Sequence, residues 1–328
     1  MKPFRYERAD DPRGAAALVA DRPGSKFLGG GTNLVDLMRL GVETPDALID
    51  VSHLAGGEVE ETSEGGLRIG AAVRNSDLAA HPLVRERYPV LSSALLQGAS
   101  GQLRNLATAG GNLLQRTRCL YFQDISKPCN KRVPGSGCPA HEGEHHNLAI
   151  LGWSEHCVAT HPSDMAVALA ALDAVVLVEG AASSRSLPLV DLHRLPGAEP
   201  ERDTVLEHGE LIAAIELPPS RCAHNSRYVK VRERASFAFA VVSLAAVLDL
   251  EGGRVRAARL ALGGVAHKPW RARRAEEALR DAPATEEAFA RAAAAELEQA
   301  RPLRDNAYKV AIARGLIVST LQELAAVE

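Results

Sequence analysis

Four of the five cysteines fall in one irregular stretch, Cys119, Cys129, Cys138 and Cys157, with 9, 8 and 18 residues between neighbours. Thiolate sulfur is a soft ligand, so four thiols converging from loops suit tetrahedral zinc or an iron–sulfur cluster. Zinc sites usually contain a short knuckle of two cysteines, and no two here stand that close. Long spacing is better tolerated by a cluster wrapped in loops. A disulfide framework is disfavoured in a chain that folds in the cytoplasm. His141, His145 and His146 are alternative ligands ranked below the thiols. Arg116, Arg118, Lys127, Lys131 and Arg132 crowd the region, either as counter-charges to an anionic cluster or as an ordinary solvated loop. Cys222, just after Pro218-Pro219, is left over and reads as a structural thiol.

Two glycine turns offer a second chemistry. Gly29-Gly30-Gly31-Thr32-Asn33 lies between a strand ending at Leu28 and a helix resuming at Asn33, where free N–H groups and the helix dipole both favour an anion. It is neither of two better-known phosphate motifs: a GxGxxG from Gly29 would need glycine where Leu34 stands, and a P-loop would need GK[ST]. The plainer reading is a tight turn needing positive φ. Thr108-Ala109-Gly110-Gly111-Asn112 also reads as a nest of bare amides. About eighty residues apart, the two turns together could cradle both phosphates of one dinucleotide. Downstream, His161-Pro162-Ser163-Asp164 opens a helix, with Asp164 as its N-cap and, beside a bound sugar chain, an acceptor for its hydroxyls.

The elements that must hold these groups are legible in outline. Residues 1–55 read as a small α/β unit, with a helix over Asp11–Ala20, strands at Lys26–Leu28 and Ala47–Val51, and helical spacing over Asn33–Leu40. Residues 56–220 read as a second α/β unit, interrupted at about 115–157 by a Pro-, Gly- and His-rich insertion with little periodicity. A structureless stretch that long inside a compact domain is usually functional or disordered. In this unit Leu67–Val73, Ala174–Val178, Ser186–Leu192 and Leu211–Leu217 are expected as strands, and Met165–Asp173 as a helix. Residues 221–328 read as an α+β domain, with three strands at Arg227–Arg232, Val241–Leu250 and Val255–Gly263, then helical spacing over Ala275–Ala300 and Tyr308–Leu324.

Composition excludes several classes. A chain of 328 residues with 46% hydrophobic residues buries a large core, and a net charge of −3 without long Lys/Arg runs argues against nucleic acid. No apolar run is long enough for a membrane span, and the N-terminus has no apolar export signal. The expected compartment is therefore the cytoplasm, with the periplasm open through co-export with a signal-bearing partner.

The motifs GGGTNL at 29–34 and TAGGN at 108–112, the His161-Pro162-Ser163-Asp164 segment and the C-terminal Gly263-Gly264-Val265 together resemble the FAD-binding (medium) subunit of the xanthine dehydrogenase, or molybdenum hydroxylase, family. The resemblance runs from about residue 1 to 326, with Ala109 where the family usually has Ile and Asn33 where Asp is common. The insertion, RCLYFQDISKPCNKRVPGSGC with Cys157 downstream, is similar to the subset carrying an added [4Fe-4S] cluster, closest to bacterial periplasmic-type aldehyde oxidoreductase heterotrimers. The medium subunit of 4-hydroxybenzoyl-CoA reductase is the neighbouring alternative. From other classes stand a free-standing flavoprotein oxidase and a zinc-stabilised scaffold.

The resemblance implies an α+β fold: a PCMH-type FAD-binding domain of two subdomains plus a C-terminal domain with a three-stranded sheet. It implies FAD held by Phe27, Leu28, Gly29, Gly30, Gly31, Thr32, Asn33 and Leu34 and by Thr108, Ala109, Gly110, Gly111 and Asn112. Asp164 would meet the sugar hydroxyls, and Leu192 and Lys230 would line the adenine or isoalloxazine. Cys119, Cys129, Cys138 and Cys157 would ligate the cluster. The partners implied are a large subunit with the molybdenum cofactor, a small subunit with [2Fe-2S] centres, and a small-molecule or protein electron acceptor.

Overall fold

The structure is a computed structural model that describes residues 1–54, 57–220 and 222–326. The expected domain junctions at 55–56 and 220–221 fall on residues 55, 56 and 221, which lie outside the described residues. In the first sheet, β1 (Arg5–Arg8), β2 (Ser25–Leu28) and β3 (Ala47–Asp50) run parallel, with β3 in the middle. Parallel neighbours cannot be joined by hairpins, so each connection is a crossover containing a helix. Pro12–Ala20 links β1 to β2, and Leu34–Arg39 links β2 to β3. The first helix is placed by its own sequence: the Asp11 carboxylate accepts from the Gly14 amide at 2.8 Å, and Pro12 occupies the first turn.

The second sheet is antiparallel rather than α/β. It contains β4 (Val59–Glu61), β5 (Leu67–Gly70), β6 (Val175–Glu179), β7 (Ser184–Pro188) and β8 (Leu211–Leu217) in the order β4-β5-β8-β6-β7. Leu67 in β5 pairs with Leu217 in β8, a closure that no local pattern announces. The helix Asp164–Ala171 is buried along its whole length, as an evenly apolar helix must be. It packs on the helix Pro89–Gln97 and on strands of the third sheet, so it cements two layers.

The third sheet has four strands where three are expected: β9 (Ser226–Val231), β10 (Val242–Glu251), β11 (Arg254–Gly263) and the short β12 (Trp270–Arg271), in the order β12-β11-β10-β9. A two-residue edge strand after Pro269 is too short to show alternation. The helices Arg273–Leu279, Glu286–Leu297 and Tyr308–Ala325 cover this sheet. The helical run expected over Ala275–Ala300 breaks at Asp281, which takes φ +56, and restarts after the Thr285 cap. The strand expected over Ser186–Leu192 ends at Pro188, which cannot donate to a ladder, and Leu189–Leu192 turns into a short helix. Within the insertion only Leu120–Gln123 and a single turn at Pro139–His141 are regular. Among the described residues, no helix is long and apolar enough to cross a membrane.

Phe289 is 1% exposed in the core beneath the third sheet. We expect Phe289→Ala to lower the stability by about 3–5 kcal/mol, read as a shifted urea midpoint at unchanged slope.

Candidate cofactor sites

A cavity of about 1260 Å³ opens between the first sheet, the second layer and the loop 233–241. It exceeds the roughly 300–1,000 Å³ of an ordinary small-molecule site. Its floor is the turn that leaves the carboxyl end of β2, where parallel sheets place their ligands. None of the backbone N–H groups from Gly29 to Leu34 finds an acceptor among the described residues. Gly31 takes φ +72, and a Cβ on Gly30 would stand 1.9 Å from the Leu106 carbonyl oxygen. Glycine therefore lets this turn lie directly on the Leu106–Ala107 backbone, which brings the two glycine turns together.

The second turn does not supply bare amides. Residues Ala109–Leu113 form a short helix capped by the Thr108 hydroxyl, and four amides are already spent. Ala109 donates to Val73, Gly110 to Ala71, Gly111 to the Thr108 hydroxyl and Asn112 to the Thr108 carbonyl. Its contribution to the cavity is small-residue surface and the side chains of Thr108 and Asn112. Residues 27, 29–34, 108, 110–112 and 164 line the cavity; Leu28 and Ala109 do not.

Three further sequence expectations change. Ser163, not Asp164, caps the helix, its hydroxyl accepting from the Ala166 amide at 2.9 Å. Asp164 accepts from Lys230 at 2.7 Å and from the Tyr228 hydroxyl, with one edge left on the cavity. Burial pushes the Asp164 carboxyl up by more than Lys230 and Tyr228 pull it down. Lys230 itself is buried behind Asp164, also donates to the Gln97 carbonyl, and does not line the cavity. Leu192 packs into the core under the second sheet, because the short helix after Pro188 turns it inward.

Three polar atoms are buried at the cavity wall without protein partners: Asn33 Nδ2, Asn75 Oδ1 and Arg118 Nε, of which sequence reasoning missed Asn75. Asn75 is only 4% exposed, and an asparagine opening a helix carries no signal beyond turn propensity. A ligand offering both acceptors and donors would satisfy all three.

All four expected thiols line one small second cavity, with Phe122 and Lys131 among its walls. No thiol is cross-linked. Burial pushes Cys119 up to about 11 and Cys157 up to about 12, and raises Cys138 too. Backbone amides oppose this: those of Phe122 and Tyr121 favour the Cys119 thiolate, those of Val158, Ala140 and His141 that of Cys138, and that of Ala159 the Cys157 thiolate. Cys119 and Cys157 are buried, and Cys129 and Cys138 are half-buried. Among the described residues, no three His, Cys, Asp or Glu side chains draw together as a single-ion site. The three candidate histidines lie outside the thiol cavity: both nitrogens of His145 are engaged, by the Ala140 carbonyl and the Asp305 amide, His141 packs edgewise on Trp153, and His146 is exposed.

Of the basic residues of the insertion, Lys127 is exposed, whereas Lys131 and Arg116 are tied into a network of acidic partners. Lys131 is buried and donates to Asp203 at 2.5 Å, to the Pro200 carbonyl at 2.6 Å and to His267 Nε2 at 2.7 Å. Arg116 donates to the other Asp203 oxygen at 2.8 Å and to Glu43 at 2.7 Å, and Glu43 also pairs with Lys26. Asp203 and Glu43 are partners that only the fold could nominate.

Residues 2–220 match the family described as the FAD binding domain in molybdopterin dehydrogenase, and residues 227–324 match the CO dehydrogenase flavoprotein C-terminal domain. The aldehyde oxidoreductase FAD-binding subunit PaoB of Escherichia coli (strain K12) is 52% identical over 98% of each chain. The carbon monoxide dehydrogenase medium chain of Hydrogenophaga pseudoflava is 28% identical over 98% of this chain and 97% of its own. A solved structure of carbon monoxide dehydrogenase from the same organism superposes with a TM-score of 0.78 at 25% identity, covering 99% of both chains.

The polar network has a pH signature. Burial, aided by the Lys131 charge, pushes His267 down to about 3 from an ordinary 6.5, and burial pushes His193 down to about 4. Burial alone would raise Asp203, but Lys131 and Arg116 overrule it and hold the carboxyl well below the usual range. The unfolded chain therefore binds protons before the folded one, at the histidines below pH about 6.5 and at Asp203 below about 4, so stability falls as pH falls. Urea midpoints should drop steadily from pH 6.5 toward 4, and His267→Gln should flatten the upper part of that slope. An equally steep slope in the variant would remove His267 as its source.

Proposed function

The chain belongs to the FAD-binding subunits of the molybdenum hydroxylase (xanthine dehydrogenase) family, and on that footing we propose that it carries FAD and a [4Fe-4S] cluster as the electron-transfer subunit of a molybdenum-dependent aldehyde oxidoreductase. Substrate oxidation would occur on a large partner subunit with the molybdenum cofactor, and electrons would arrive through [2Fe-2S] centres of a small one. An external small molecule or protein would take them away. The 52% identity to an aldehyde oxidoreductase subunit favours this over the 4-hydroxybenzoyl-CoA reductase alternative.

FAD when bound exchanges electrons singly or in pairs, and a cluster exchanges them singly. The chain's part is to hold and orient. The free amides from Gly29 to Leu34 suit a diphosphate, since unpaired donors that point at a ligand need no reorganisation. Asp164, steadied by Lys230 and Tyr228, is an acceptor for hydroxyls on the sugar chain. Asn33 Nδ2, Asn75 Oδ1 and Arg118 Nε offer the remaining polar partners. For the cluster, four soft donors line one small cavity, and backbone amides favour the thiolate forms of Cys119, Cys138 and Cys157.

The observation that carries the reading is the adjacency of the two cavities: Arg118 lines the larger one and the next residue, Cys119, lines the thiol cavity. Anaerobically purified protein should be yellow-brown and contain about four irons and one flavin per chain, with little zinc. Colourless, zinc-loaded protein would defeat the proposal, and a purely yellow one would defeat its cluster half. Cys129→Ser should lose iron, whereas full iron retention would remove Cys129 from the ligand set. Gly30→Ala should lose flavin, because its methyl group would push the amide-bearing turn off the Leu106 carbonyl. Wild-type flavin content in that variant would show that the turn does not need this approach.

A further inference from the structure

Building on the reading that both cavities are filled, we propose that Arg116 is a positioning residue that couples them, so that a chain holding its cluster binds FAD more tightly than one without. Arg116 opens the insertion, and its contacts reach both walls. Toward the larger cavity, its amide donates to Asn33 Oδ1 at 3.0 Å and its guanidinium donates to Glu43 at 2.7 Å. Both partners line that cavity. Toward the thiol cavity, its guanidinium lies 4.7 Å above the ring of Phe122 and donates to Asp203 at 2.8 Å. Asp203 in turn holds Lys131, and Phe122 and Lys131 are walls of the thiol cavity.

The contact with Asn33 sets a direction. With its oxygen held by the Arg116 amide, the Asn33 side chain keeps its Nδ2 as the buried donor that no protein atom accepts. The turn that presents free amides is thus steadied by a residue whose own frame is the cysteine loop. That loop has almost no regular structure of its own, so four ligand bonds to one group would add to the order its side-chain anchors supply. When they are absent, Phe122 and Lys131 lose their frame, Arg116 is freed, and FAD binding must supply the ordering instead. Such coupling is reciprocal, and FAD must favour cluster retention by the same factor.

The test uses the full chain. FAD is titrated into flavin-depleted protein, with flavin fluorescence as the readout, once with iron in place and once after chelator stripping. In the wild type, stripping should raise the Kd at least about fivefold, within the usual range for coupled sites. In Arg116→Gln the Kd should be weak in both states, with a ratio near one. Arg116→Lys keeps the charge but loses the planar fork, and its ratio should fall between. A wild-type ratio of one after proven iron removal overturns the proposal, as does an Arg116→Gln variant with the full wild-type ratio. If Arg116→Gln is not recovered folded, Glu43→Gln, which weakens the Arg116 contact on the flavin side together with the Lys26 pair but leaves the Asp203 and Phe122 contacts, carries the same expectation. A wild-type chain that binds FAD but never contains iron overturns the cluster reading and the coupling together, whereas iron-loaded protein with a ratio of one overturns the coupling alone.

Discussion

One half-buried carboxylate, Asp203, receives Arg116 on one oxygen and Lys131 on the other, and the insertion depends on it. A segment without strands cannot bury its backbone through ladders, so it must be tied down by side chains. Two cations meeting one anion offset much of the desolvation that each would suffer alone, while removing one partner would strand a charge. The third member, His267, stays neutral beside Lys131 and accepts from it, joining the insertion to the C-terminal domain. Arg116 reaches the other way, through Glu43 and Lys26, to the first sheet.

Around that anchor, each layer supplies a different part of the larger cavity. The parallel sheet supplies a strand end whose next residues have unspent amides. The second layer supplies the Leu106–Ala107 backbone on which those residues lie, while Ala71 and Val73, just after β5, accept from the second turn. The third sheet supplies Lys230 and Tyr228, which reach across to fix Asp164 on the neighbouring layer. The buried helix that begins with Asp164 packs against both layers, so this carboxylate sits where their cores meet. The cavity exists only once all three are assembled.

The buried Lys309 follows the same logic as the insertion's anchor. It donates to the carbonyls of Asn147 and Leu148, at the end of the insertion, and to Gly264 in the turn after β11. Burial pushes its ammonium down to about 7, so its hydrogen bonds to three carbonyls are set against the cost of enclosing a cation. Irregular backbone at the junction of insertion and C-terminal domain is thereby satisfied from a helix far along the chain.

Local chemistry in the sequence determined a good deal. Helices open where Asp11 and Pro12 say they should, apolar alternation marks most strands, and glycine stands at 29–31 because only a residue without a side chain can accept φ +72 at Gly31 or the approach of Leu106 at Gly30. The four thiols that line one small cavity could be nominated together from the sequence, because ligand type and the paucity of regular structure around them are properties of the chain itself. Tertiary structure alone decided which polar groups were spent. The second glycine turn looked as bare as the first, but Val73 and Ala71 consume two of its amides. Lys230 looked like a wall of the cavity and is instead a brace behind Asp164, and Leu192 turned into the core after Pro188. Asp203, Glu43 and Asn75 carried no signal. Whether a donor is free, a charge paired or a side chain facing a cavity depends on what another segment brings within about 3 Å, and residue spacing along a chain does not encode that.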